Sequence, residues 1–317
     1  GKRIRNVLIA GTGVAGMLAL SACAADTGAS GGGGGGSVTL TQASWVGSEA
    51  NVAVAKKLLE DEMGMTVHVK QLDEPVAWDA LNSGQADVIL EDWDGVPKKE
   101  HLYVDKKKSV VPAGDLGVKG HIGWFVPKYY AEKHPDIKNY ENLNKHWKDF
   151  QTSESGDKGQ FIGAAPSYTS HDKELIKNFD LNFKVLPTGS EAAQLKEMQR
   201  LYKAKKPFIG YWWQPQWMNA QIKMVEVKLP PYKDGCLKPA EDAKCGYQTL
   251  DLHKFMSDDF AKNGGKAAEF VENFKWSTAD QNKVAQMIAG KHMSDDEAAA
   301  KWIENNKDVW QKWIPKK

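Results

Sequence analysis

Hydrophobic and polar positions change period in a repeating order along the chain. Ser37 to Gln42 alternates with a period of two and predicts a strand, whereas Glu49 to Met63 returns apolar residues at helical spacing until Gly64 stops it. Thr66 to Gln71 alternates again, Pro75 to Ser83 reads as a short helix ended by Gly84, and Ala86 to Leu90 is a buried strand. This β-α-β-α-β order predicts a mostly parallel sheet with helices on both faces. The texture changes at Gly120 to Pro127, and the order then repeats. Lys138 to Phe150 reads as helix and loop, Gly159 to Ala164 as strand, His171 to Phe179 as helix, Phe183 to Pro187 as strand, Ser190 to Ala204 as helix and Pro207 to Tyr211 as strand. Two such units in tandem predict an α/β protein of two lobes. After Val225 to Leu229 the pattern predicts helices only: Asp251 to Lys262, Lys266 to Asn273, Thr278 to Ala289 and Ser294 to Trp313. Ser294 and Glu297 form a capping box for the last of them, and Trp302, Trp310 and Trp313 are expected to pack one helical face.

The first 37 residues follow another logic. Lys2, Arg3 and Arg5 precede an apolar stretch from Val7 to Leu20 that is short for a membrane span, and Leu20-Ser-Ala-Cys23 looks like a lipobox. Residues 1–22 are therefore expected to be a signal peptide. Cys23 is expected to carry lipid, and residues 23–37, rich in Gly and Ser, to be a flexible tether. The expected location is extracytoplasmic, lipid-anchored to the outer face of the cell membrane. In such an oxidising compartment Cys236 and Cys245, nine apart in a Pro/Gly/Lys/Asp-rich loop, are most simply a disulfide.

Composition narrows the function. The chain has 42 Lys+Arg against 41 Asp+Glu, which offers no basic surface for nucleic acid. No phosphate loop, G-x-S-x-G, H-E-x-x-H or metal-ligand spacing is present, so neither an enzyme nor a cofactor or metal is expected. Trp is unusual: 12 residues, more than Phe or Tyr. Tyr211-Trp-Trp-Gln-Pro-Gln-Trp217 puts four aromatics beside a predicted strand, Trp45 and Trp93 each follow strand ends, and Trp124 stands at the texture change. Indole faces gathered around a point bind a methylated ammonium cation, whose weak hydration is readily given up. Glu91, Asp92 and Asp94 would add negative potential, and the loop Tyr168-Thr-Ser-His-Asp172 at a helix start offers N–H donors for a carboxylate. Stacking platforms for a sugar, with Glu91 and Asp94 as an acid/base pair, are the rival reading.

At these residues the chain resembles the substrate-binding proteins of ABC transporters for glycine betaine, choline and related solutes. The resemblance rests on Trp78-Asp-Ala-Leu-Asn-Ser-Gly-Gln-Ala-Asp87, Gly120 to Pro127, Gly189-Ser-Glu-Ala192 and above all Trp213-Gln-Pro-Gln-Trp217, similar to a W-x-P-H-W signature. It implies a two-lobe clamp like the type II periplasmic binding proteins, with the ligand in the interlobe cleft. The first lobe would be 38–126 with 229–317, and the second 127–228. It also implies a quaternary ammonium ligand, glycine betaine first, delivered by a monomer to an ABC permease with a cytoplasmic ATPase. Trp45, Trp93 and Trp213 would be cage walls, with Trp124, Tyr168, Thr169 and Glu91 as neighbours. Gln216 replaces the signature His and would meet a ligand carboxylate through an uncharged amide.

Overall fold

One long strand joins two sheets. The structure, a computed structural model, describes residues 36–317, so the expected signal peptide, Cys23 and the tether through residue 35 lie outside the described residues. The strands are β1 (Ser37–Gln42), β2 (Thr66–Gln71), β3 (Val88–Asp92), β4 (Val110–Pro127), β5 (Gly159–Gly163), β6 (Phe183–Pro187), β7 (Gly210–Gln214), β8 (Met224–Val227) and β9 (Leu250–Ser257). Their order is β2-β1-β3-β9-β4-β7-β5-β6, with β8 also on β4. Residues Val110 to Gly120 of β4 pair with β9, and His121 to Phe125 pair with β7. The ladders β1–β2, β1–β3, β5–β6 and β5–β7 are parallel, and those that involve β4 or β9 are antiparallel.

Each half covers its sheet with helices, as the β-α alternation requires. Helix α1 (Val46–Asp61) buries Ala50, Val54, Leu58 and Leu59 against the first sheet, and α2 (Glu74–Ser83) buries Trp78 and Leu81, ending at Gly84 in the left-handed conformation. Trp78 is fully buried, and its Nε1 donates to Asp92 Oδ1 at 2.9 Å. The capping box of Ser294 and Glu297 opens the helix Asp295–Asn305, and Trp302 and Trp313 stack nearly parallel beneath it, 5.8 Å apart. Among the described residues no helix is long and apolar enough to cross a membrane.

Several stretches depart from the expected elements, among them the helix expected over Ser294 to Trp313, which breaks at Asn306 into the helix Asp295–Asn305 and the short turns Lys307–Trp310 and Gln311–Trp313. The predicted helix Asp251 to Lys262 is instead β9 followed by the helix Asp258–Asn263. Lys254 disguises this strand as polar: its side chain is fully buried, and Nζ donates to the carbonyls of Val271 and Glu272 at 2.6 and 2.9 Å and to that of Phe274. These are the unpaired carbonyls at the end of the helix Gly265–Asn273, so the lysine satisfies them from the strand. The strand expected at Pro207 to Tyr211 lies at Gly210–Gln214, which places Trp212 and Trp213 inside β7 rather than in the loop after it.

Candidate ligand-binding site

The period-two geometry of β7 turns Tyr211 and Trp213 to one face and Trp212 to the other. Trp212 is fully buried and donates to Asn219 Oδ1, while Tyr211 and Trp213 line a cavity of about 350 Å³. Trp45, Trp93, Tyr168 and Thr169 line the same cavity. Tyr168 stands at right angles to two walls, with ring centroids 5.6 Å from Trp45 and 5.7 Å from Trp213, interplanar angle 88° in both cases. Tyr247 meets Tyr211 edge to face at 6.1 Å. Rings set across one another around a half-open cavity suit a compact cation; a sugar platform needs coplanar rings along a groove.

The two indoles of the first half are fixed from behind. Trp45 caps the start of α1 and Trp93 follows β3, and both Nε1–H groups donate to the same oxygen, Glu91 Oε2, that of Trp93 at 3.0 Å. The other oxygen, Oε1, accepts from Asn51 Nδ2 and Gln281 Nε2 at 2.8 Å each. Burial pushes the Glu91 carboxyl upward, and its four donors, the indoles foremost, oppose that shift. Glu91 therefore lies behind the cage, orienting the two rings and lending them negative potential. Gly120 permits the close approach of Trp93, since a Cβ there would lie 2.7 Å from the indole.

Trp124 and Gln216 also lie behind the lining. Trp124 is fully buried against Phe161, ring centroids 5.0 Å apart, and donates to Asp172 Oδ1 at 2.8 Å. The same oxygen accepts from Tyr247 Oη at 2.8 Å, so Trp124 and Asp172 support a cavity tyrosine. Gln216 Nε2 donates to Glu191 Oε1 at 2.7 Å, and its Oε1 accepts from Met218 N at 2.6 Å. Glu191 Oε2 in turn accepts from Val46 N at 2.8 Å, linking the first turn of the helix Glu191–Lys203 to the first turn of α1. A carboxylate between two helix starts is favoured by both dipoles. Burial nevertheless pushes Glu191 up to about 7. Gln216 thus positions a contact between the halves.

Of the donors expected for a carboxylate at residues 168–172, three are engaged: Tyr168 N with Ala165 O, His171 N with Tyr247 Oη, and Asp172 N with Ser170 Oγ. Sequence reasoning missed Glu74, Glu100, Tyr232 and Tyr247 as lining residues. Tyr232 and Tyr247 flank the loop closed by the Cys236–Cys245 disulfide, Cα atoms 5.9 Å apart, and only folding brings that loop to the cavity. Glu100 is pushed up to about 7 by burial and by its neighbours Asp94 and Asp92. One oxygen each from Asp92, Asp94 and Glu100 lie within 4.8 Å of one another, a set with the ligand chemistry of a hard cation.

Residues 36–305 match the family described as the substrate-binding domain of ABC-type glycine betaine transport systems. The chain belongs to this family. Among curated relatives of this substrate-binding domain, the trimethylamine N-oxide-binding protein of Pelagibacter ubique is 25% identical over 261 residues, 79% of this chain and 82% of that protein. The glycine betaine/proline betaine-binding periplasmic protein of Salmonella typhimurium is 24% identical, with 98% of each chain covered. Among solved structures, lactococcal OpuAC in its closed form with glycine betaine gives a TM-score of 0.70 at 21% identity, covering 89% of this chain and all of that one. A choline-binding protein in complex with choline gives 0.69 at 22% identity, covering 87% and 91%. These two likenesses establish the fold, a two-lobe binding-protein clamp.

Proposed function

We propose that this protein is an extracytoplasmic, non-catalytic receptor that holds a small quaternary ammonium compound, of the glycine betaine and choline class, and delivers it to an ABC permease. One observation carries the reading: Trp45 and Trp93 from the first half, with Tyr168 and Trp213 from the second, converge on one cavity while a buried carboxylate orients two of the indoles. Each well-placed, desolvated ring contributes up to about 2 kcal/mol toward an onium group. The names of the relatives support it, since each binds a methylated nitrogen compound. Residues 38–126 with 229–317 would form one lobe and 127–228 the other, and closure would bury the ligand between them. Signal peptide 1–22, lipid at Cys23 and the Gly-rich tether would hold this monomer at the membrane near its permease.

Calorimetry with choline, glycine betaine, carnitine, glycine and glucose tests the proposal. Trimethylated ligands are expected to bind far more tightly than glycine. Equal affinity for glycine and glycine betaine, or binding of glucose alone, would overturn it.

A further inference from the structure

Helix α1 begins without a cap from its own end of the chain. Its N-cap residue is Trp45, whose side chain makes no capping bond, and the nearby Ser48 hydroxyl accepts from Ala43 N at 2.9 Å, outside the helix. The first turn of a helix leaves its N–H groups without intrahelical partners. Val46 N, the first of them, finds its acceptor in the other half of the molecule: Glu191 Oε2 at 2.8 Å, on a buried carboxylate 145 residues away. Glu191 thus does for α1 what an N-cap side chain does within a helix.

The second half is arranged to present that carboxylate. Ser190 caps its own helix, Glu191–Lys203, with Oγ accepting from Ala193 N at 3.1 Å, which leaves Glu191 free to reach across. Gln216 Nε2 holds the other carboxylate oxygen at 2.7 Å. One turn along the same helix Gln194 Nε2 donates to Tyr211 O and fastens it to β7, the strand that brings Tyr211 and Trp213 to the cavity. On the opposite side Val46 directly follows the cage wall Trp45. The bond therefore joins the backbone beside one wall to a helix fastened behind two others, while neither Val46 nor Glu191 lines the cavity.

We propose that Glu191 is a positioning residue, an interlobe latch that caps α1 from the opposite half and slows release of any solute the cavity holds. The proposal goes beyond the onium reading and takes from it only the probe compounds. With the halves together the pair is a desolvated, charge-assisted hydrogen bond; with them apart each partner returns to water. Solute enters before the bond forms and leaves after it breaks, so its loss acts on dissociation and not on the choice of solute. Tyr247, whose bonds to His171 and Asp172 also tie the halves, is untouched by the variants below.

Stopped-flow fluorescence with choline and glycine betaine, on the wild type, Glu191→Ala, Val46→Pro and the double variant, tests it. Val46→Pro removes the donor at the first helical position, where proline suits the helix and its missing N–H leaves no intrahelical bond unmade. Each single variant is expected to release the probe at least about tenfold faster, with association changed less than about twofold. Where both probes bind, the factor is the same for both. The double variant is expected to be no faster than the faster single one, as for two ends of one bond. A merely structural role would not confine the change to dissociation. Release within about twofold of the wild type, acceleration of one bound probe alone, slowed association alone, or additive effects would overturn the latch with the onium reading intact. If the wild type binds neither probe, the onium reading falls, and amide hydrogen exchange in the unliganded protein decides the latch. Val46 N is then expected to exchange at least about tenfold faster in Glu191→Ala, with the interior amides of α1 unchanged; equal rates at Val46 would overturn it.

Discussion

Replacing Glu91 by glutamine keeps its shape and removes its charge, and the outcome follows from the four donors around it. The amide oxygen can face either the two indoles or the two side-chain amides. Turned toward Trp45 and Trp93, it keeps both rings satisfied and presents its NH2 to Asn51 and Gln281. Gln281 can rotate to accept, because its Oε1 has no partner; Asn51 cannot, because its Oδ1 accepts from Trp276 Nε1 at 2.9 Å. One donor–donor conflict remains, costing about 1–3 kcal/mol, and the surviving bonds weaken from charge-assisted to neutral. We therefore expect Glu91→Gln to lose about 3 kcal/mol of unfolding free energy in urea titration. Onium affinity should fall about tenfold, since the rings stay placed but the charge behind them is gone. Glu91→Leu should cost more on both counts, because both indole N–H groups are then buried without acceptors. If Glu91→Gln unfolds within about 0.5 kcal/mol of the wild type and binds within twofold, Glu91 is not the charged organiser of this cage.

Trp213→Ala should reduce onium affinity by about 2 kcal/mol in calorimetry, and Trp213→Phe by less, because a smaller ring keeps a face with a weaker quadrupole. Gly95→Ala should weaken binding at least about tenfold and lower the melting temperature as well, since a Cβ 2.5 Å from both Glu74 Oε2 and Thr169 Oγ1 forces one of them to move. Stability of the unliganded protein should fall by about 2 kcal/mol as pH rises from 5 to 7. Glu49, Glu100 and Glu191 are raised to about 8, 7 and 7, so the folded state holds protons that the unfolded state has released above its ordinary carboxylate range. His171, pushed down by burial, acts in the opposite sense below its ordinary 6.5, and Lys254, lowered to about 7, does the same at the top of the interval, where the folded state begins to release its proton. Urea titrations at both pH values check the slope, which Glu191→Gln should flatten.

Local pattern was enough to locate β1, β2 and β6, where side-chain alternation coincides with the pleat. It failed for β9, where the decisive contact of Lys254 is with carbonyls 17 to 20 residues away, and for the first part of β4, where Pro112, Gly114 and Gly117 break the alternation. The aromatic character of the site was legible because Trp is costly to leave in exposed loops. The assignment of each ring was not, since orientation depends on remote partners: Asp172 holds Trp124 inward, Glu191 occupies Gln216, and Glu91 ties together indoles 48 residues apart in the chain. Asp92 and Asp94 were legible as acids beside the site, but Glu74 was not, because it meets Gly95 only after α2 packs beside β3.

Because β4 belongs by backbone hydrogen bonding to both sheets, the halves cannot separate by sliding apart without breaking a ladder. A turn of one half against the other would pivot near Gly120 and His121, where the pairing passes from β9 to β7. Opening of the halves would have to break the Val46–Glu191 amide–carboxylate contact together with the bonds that tie Tyr247 to His171 and Asp172.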